Sequence, residues 1–109
     1  MSFDRLSAAF AALADPTRRE VFTLVAHGRA RTATELAAEL PVTRQAVSKH
    51  LAILEDARLV DGERRGRTTR FHATPAPLSD AIAWMAEVGG EWDERLGRLR
   101  AAAEVRATP

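Results

Sequence analysis

With 109 residues, 46% of them apolar and 28% charged, the chain has material for one modest core and not for two. Cysteine is absent, which excludes disulfides, thiolate metal sites and thiol redox chemistry. There is no apolar run of about eighteen residues and no signal-peptide pattern, so one soluble domain over residues 1–109, in the cytoplasm, is the expectation. The net charge of +1 conceals an asymmetry: residues 1–40 hold five acids and five bases, residues 41–72 seven bases and four acids, and residues 73–109 four bases and six acids. A basic middle in a near-neutral chain points to a local anion-facing surface.

In chain order, Phe3, Leu6, Phe10 and Leu13 recur at steps of three and four and predict a first helix with one apolar face. Asp15 as N-cap, Pro16 at the first helical position, Val21, Leu24 and Val25 on the inner side and Gly28 as a stop predict a second helix from Pro16 to about His27. The run Thr32 to Glu35 fits a capping box ahead of Leu36 and Leu40, giving a short third helix closed by Pro41. Thr43 is a second N-cap, and Val47, Leu51 and Leu54 mark the inner side of a fourth helix reaching about Ala57. Leu59-Val60 and Thr69, Phe71 and Ala73 suit the strands of a hairpin turning at Gly66. A long last helix follows, with Trp84, Val88, Trp92, Leu96 and Leu99 along one face. The Gly89-Gly90 pair should interrupt it, by a kink or a close helix crossing, at about 1 kcal/mol per glycine.

Two helices joined by about three residues and followed by a basic hairpin match a winged helix-turn-helix, mainly α with one small β-hairpin. Between Pro41 and Leu51 the outward residues Thr43, Arg44, Gln45, Ser48 and Lys49 include no acid. That composition suits the major groove of DNA, where phosphates repel carboxylates and long donors reach base edges. The Gln45 amide can pair bidentately with adenine, the Arg44 fork with guanine or a phosphate, and the Ser48 hydroxyl with either. Lys49 and Thr43 read as phosphate contacts. In the wing, Arg64, Arg65 and Arg67, then Thr68 and Thr69, can follow the backbone or enter the minor groove, with Glu63 nearby. Thr32 and Thr34 stand where hydroxyls and helix-end amides could meet a phosphate. A winged-helix module that binds another protein and never touches DNA is the competing class.

The segments "ALADPTRREVFTLV", "TATELAAELPVTRQAVSKHLAILEDARLV" and "RRGRTTRFHATP" resemble, in order and spacing, the ArsR family of winged helix-turn-helix repressors over nearly the whole chain. The resemblance implies a homodimer that binds a near-palindromic operator and blocks transcription until a signal releases it. It implies an effector, small molecule or protein, whose identity the residues leave open. Many members sense metals through cysteines on the third helix or carboxylate and histidine ligands on the last. Here the third helix reads "ATELAAEL", and the last offers Asp80, Glu87, Glu91, Asp93 and Glu94 but no histidine. Carboxylates alone make a poor site for borderline ions, so no metal and no cofactor is expected, and a non-metal-sensing subgroup is the closer likeness.

The aromatic stripe suggests a dimer seam built from both ends of the chain: Phe3, Leu6 and Phe10 with Trp84, Val88, Trp92, Leu96 and Leu99. His27, His50 and His72 are scattered and read as structural or solvated, His50 between the fourth helix and the scaffold. Glu91 and Arg95 read as an i,i+4 pair. No phosphate loop, nucleophile with a spaced histidine, or metal signature appears, which argues against an enzyme.

Overall fold

The structure, a computed structural model, describes residues 3–107. Its elements are α1 (Phe3–Leu13), α2 (Pro16–Ala26), α3 (Ala33–Ala38), α4 (Arg44–Asp56), β1 (Val60–Arg65), β2 (Thr68–Ala73) and α5 (Ala76–Ala107). This is the mainly helical winged helix-turn-helix architecture that the sequence predicts. The core gathers one side of each element: Val21 and Val25 from α2, Leu36 from α3, Val47, Leu51 and Leu54 from α4, and Leu59 and Val60 at the entrance to the wing. Each large side chain so buried contributes roughly 1.5–3 kcal/mol, which fixes how α2, α3 and α4 cross.

Short polar caps set the helix starts. Asp15 accepts from the Arg18 amide at 2.9 Å, Thr32 from the Glu35 amide at 3.1 Å and Thr43 from the Ala46 amide at 3.1 Å, and in all three the capping residue has extended backbone. The end of α1 is closed from outside, because Arg18 donates to the Ala12 and Ala11 carbonyls and Arg19 to those of Leu13 and Ala14. The arginine pair after Asp15-Pro16 therefore satisfies orphan carbonyls of the preceding helix, and α1 and α2 are locked at their junction. At the end of α4, the Leu59 amide reaches the Leu54 carbonyl and the Arg58 amide that of Glu55, each at 2.9 Å, with Arg58 left-handed at φ 62°. This six-to-one closure turns the chain directly into β1.

The hairpin pairs Val60 with Ala73 through to Arg65 with Thr68, leaving a two-residue connection, Gly66-Arg67. Its first position is left-handed, φ 63°, which Gly66 supplies without a Cβ penalty. The free edge of β2 gains a second partner: the Arg31 and Phe71 backbones exchange hydrogen bonds of 3.1 and 2.8 Å, so the α2–α3 loop joins the wing root.

Two sequence expectations change here. The Gly89-Gly90 pair does not interrupt α5, which runs unbroken for 32 residues, and apart from its own turn of helix a Cβ at either glycine would meet no described atom within 4 Å. Among the described residues no neighbour crosses there. Leu6, expected in a dimer seam, is only 4% exposed because α1 lies between α5 and the rest of the body and turns Leu6, Ala9 and Ala12 inward.

The helix α5 packs on α1 near its start, where Ala81 is buried and the Phe10 and Trp84 rings meet edge-on at 5.7 Å. From Gly90 to Arg106 every residue is exposed. The result is a long shape, 74 × 30 × 21 Å, with a radius of gyration of 19.6 Å, against about 13 Å for a compact chain of this length.

Candidate nucleic-acid interface

On α4, Val47, Leu51 and Leu54 are consumed by the core, so the remaining arc of the helix faces out. Thr43, Arg44, Gln45, Ser48 and Lys49 are all exposed, and Gln45, Ser48 and Lys49 share a side at three- and four-residue spacing. No acid stands in the first turn. Thr43 uses a lone pair to cap Ala46, which leaves its hydroxyl proton able to reach an anion.

At the wing, Arg64 Nε donates to the Gly66 carbonyl at 3.2 Å and Arg65 pairs with Glu63 at 3.1 Å. Thr68 donates to the Arg65 carbonyl at 3.2 Å, bracing the turn. Arg67, at the second turn position, takes no part in these bonds and stands at the tip. Thr69 is half-buried on the inner face of the hairpin, beside Phe71 and Ala73.

The α3 threonines differ from each other. Thr34 is exposed, whereas Thr32 sits inside the capping box: it accepts from the Glu35 amide and donates to Glu35 Oε1 at 3.3 Å. Its proton is thereby directed at a carboxylate. Glu35 also takes Arg70 Nη1 at 3.0 Å. Desolvation raises the Glu35 carboxyl, but Arg70 and the Thr32 hydroxyl and amide outweigh it and hold the group below its ordinary value of 4.5. Asp15 is likewise held below 3.8, chiefly by the Arg18 amide against some desolvation, with help from the Arg18 and His50 charges.

Sequence reasoning missed Arg70, Glu35 as its partner, and Glu55, which accepts from the Gly62 amide at 2.8 Å. Alternation along β2 was the available signal for Arg70, since it points away from Thr69 and Phe71. No pattern in sequence says that α3 lies within its reach. His50 turns Nδ1 inward, where it finds no hydrogen-bond partner among the described residues, and His72 lies 3.8 Å from Asp61.

The eight seam residues divide. Leu6 is internal, Phe10 and Trp84 pack on each other, and Val88 is half-covered, while Phe3 is 70% exposed. Trp92, Leu96 and Leu99 leave 53, 52 and 62% of their surface open. Arg95 lies over the Trp92 ring, 4.9 Å from its centre, instead of pairing with Glu91 as the i,i+4 spacing predicts.

A helix-turn-helix domain family matches residues 13–63, the span from the end of α1 into β1. The transcriptional repressor SdpR of Bacillus subtilis is 31% identical over 87 residues, covering 80% of this chain and 96% of that protein. An ArsR-like transcriptional regulator from Rhodococcus sp. RHA1 superposes with a TM-score of 0.76 at 38% identity, over 93% of this chain and 94% of that one. A homodimeric winged helix-turn-helix domain from Mycobacterium bovis, a possible ArsR-family regulator, shares the fold with a TM-score of 0.61 at 24% identity, over 86% and 83% of the two chains. With the extent of these matches and the fold they share, the chain belongs to the ArsR family of winged helix-turn-helix, DNA-binding transcriptional regulators, and is not an enzyme.

Proposed function

We propose that two copies of this chain form a repressor that binds a near-palindromic operator, with each α4 in a major groove and each wing on the adjoining backbone. The observation that carries the reading is the outer arc of α4 over its first two turns, from Thr43 to Lys49, which is exposed and free of acids and is followed in the chain by the exposed wing arginines. Gln45, Arg44 and Ser48 read base edges; Thr43, Lys49, Thr34, Arg64, Arg65, Arg67 and Thr68 hold phosphates, Thr32 assists through the end of α3, and Thr69, on the half-buried inner face of the hairpin, leaves that set. Two-fold symmetry then sets half-sites about one helical turn, roughly 34 Å, apart.

The second copy is called for by the bare side of α5. Trp92, Leu96 and Leu99 continue at helical spacing the side of α5 that carries Trp84 and Val88, and one chain leaves them, like Phe3 on α1, uncovered. The Mycobacterium bovis domain that shares the fold is a homodimer, which supports pairing of two copies here. The releasing signal is not a thiophilic metal, because the chain has no cysteine and α5 no histidine. A small molecule or a protein fills that role, and added zinc or cadmium should leave operator affinity unchanged.

The test is a salt titration of duplex binding, in which each phosphate contact adds about −0.9 to the log–log slope. Arg67→Glu should weaken binding to every sequence and flatten that slope, while Gln45→Ala should relax base preference by roughly 1–3 kcal/mol with little change in slope. Binding that ignores salt would transfer the surface to a protein partner.

A further inference from the structure

Acids beside a DNA-facing surface oppose binding, yet Glu35 and Glu55 both stand at the wing root. Each is engaged at one edge of the hairpin. Glu55, on α4, accepts from the Gly62 amide of β1 at 2.8 Å. On the β2 edge, Arg70 Nη1 reaches Glu35 Oε1 at 3.0 Å and the Ala30 carbonyl at 3.3 Å, next to the backbone exchange between Arg31 and Phe71. That exchange sits at the packed root, with Val60, Phe71 and Ala73 on the core, and among the described residues no backbone bond joins the hairpin to the body nearer the tip, so the outer hairpin can bend about the root. The tie to Glu35 lies outside the root and reaches α3, the first helix of the helix-turn-helix pair. The Glu35 carboxylate is itself held by the Thr32 hydroxyl, so the anchor is rigid.

We propose that Glu35 and Arg70 form a clamp that sets where the wing arginines stand relative to α4, making both of them positioning residues for DNA binding that do not touch DNA themselves. The inference rests on the DNA-binding reading above. A solvent-open ion pair does little for overall stability, so its value lies in leverage. From Phe71 to Arg67 the strand rises about 3.3 Å per residue, a lever of roughly 13 Å. A tilt of about 15° at the root then moves the tip by about 3.5 Å, more than a hydrogen bond to phosphate tolerates.

Charge and geometry make opposite predictions for the same substitution, which supplies the test. Glu35→Arg replaces a negative charge with a positive one beside the duplex, a change of +2 per subunit, so charge alone predicts tighter binding and a steeper salt slope. The clamp predicts weaker binding and a slope shallower by about 0.9 for each phosphate that the wing no longer reaches. The exchange Glu35→Arg with Arg70→Glu keeps the wild-type net charge, restores the pair in reverse and should recover the slope. Glu35→Gln retains an acceptor for the Thr32 hydroxyl, so it preserves the α3 cap if the arginine variant unfolds. It should also bind more weakly than wild type although it removes an acid. A slope unchanged or steeper in Glu35→Arg or Glu35→Gln, with circular dichroism showing the variant folded at the assay temperature, overturns the clamp alone. A wild-type chain whose duplex binding ignores salt overturns the DNA reading and the clamp with it.

Discussion

The body formed by α2, α3, α4 and the hairpin differs from the distal half of α5 in how completely one chain satisfies it. In the body, apolar side chains converge on a single core, each of α2, α3 and α4 has a side-chain cap, and Ile53 is the one large apolar side chain of α2, α3 and α4 that stands exposed. Beyond Gly90, α5 exposes a tryptophan and two leucines on one side, and every residue as far as Arg106 stays open to solvent. The contrast separates two kinds of apolar patterning. Stripes on α2 and α4 encode packing that is finished within the chain, whereas the stripe on α5 encodes packing that a single chain leaves open.

Substitutions in the two regions should therefore fail differently. The largest effect is expected on α5: Trp92→Asp removes roughly 1.5–3 kcal/mol of burial from each subunit, so a dimer should weaken by about two to four decades while each subunit stays folded. Sedimentation and circular dichroism on the same sample would check this, and an intact dimer would remove the seam from α5. The reverse pattern is expected from Leu54→Ala, which should cost about 2–5 kcal/mol in subunit stability, read as a lower urea midpoint. If Leu54→Ala dissociated the dimer and left the subunit midpoint unmoved, the division between the regions would be wrong.

Smaller substitutions sharpen the division. Removing the α4 cap with Thr43→Ala should lower stability by about 1 kcal/mol and weaken duplex binding through the missing hydroxyl. Gly90→Ala meets open space in the single chain, so it should raise helix stability by about 0.8–1 kcal/mol. A loss of dimer affinity in that variant would instead show that a second copy approaches α5 at the glycine pair. The smallest effect is a pH dependence. Asp15 and Glu35 have depressed values when folded, so the stability they add is complete above their ordinary 3.8 and 4.5 and is lost as pH falls through the folded values. The thermal midpoint should stay level from neutrality to about pH 5 and fall below it, less steeply in Glu35→Gln.

Much of this molecule is legible residue by residue. The capping box at Thr32, the caps at Asp15 and Thr43, the Gly66 turn and the apolar spacing on α2 and α4 all act over a few neighbouring residues, so composition and period suffice to find them. The same holds for the outer arc of α4, since a residue absent from the buried side of a helix is committed to the other. Three features escaped because they join residues far apart in sequence. Arg70 meets Glu35 across 35 positions, the Arg31 backbone pairs with Phe71, and Leu6 goes into its own subunit instead of a seam. Arg18 and Arg19 were nearer, yet their targets are carbonyls, which carry no sequence signal.

By itself, then, the order of residues determined the elements, their capped starts and the exposed polar arc that opens α4, because helix period and end-capping are local physics. Only the tertiary structure decided which apolar stripe is consumed inside the subunit and which is left bare, and what fastens the wing. Those outcomes depend on distances between elements, and a side chain's period is the same whether its neighbour comes from its own chain or from another.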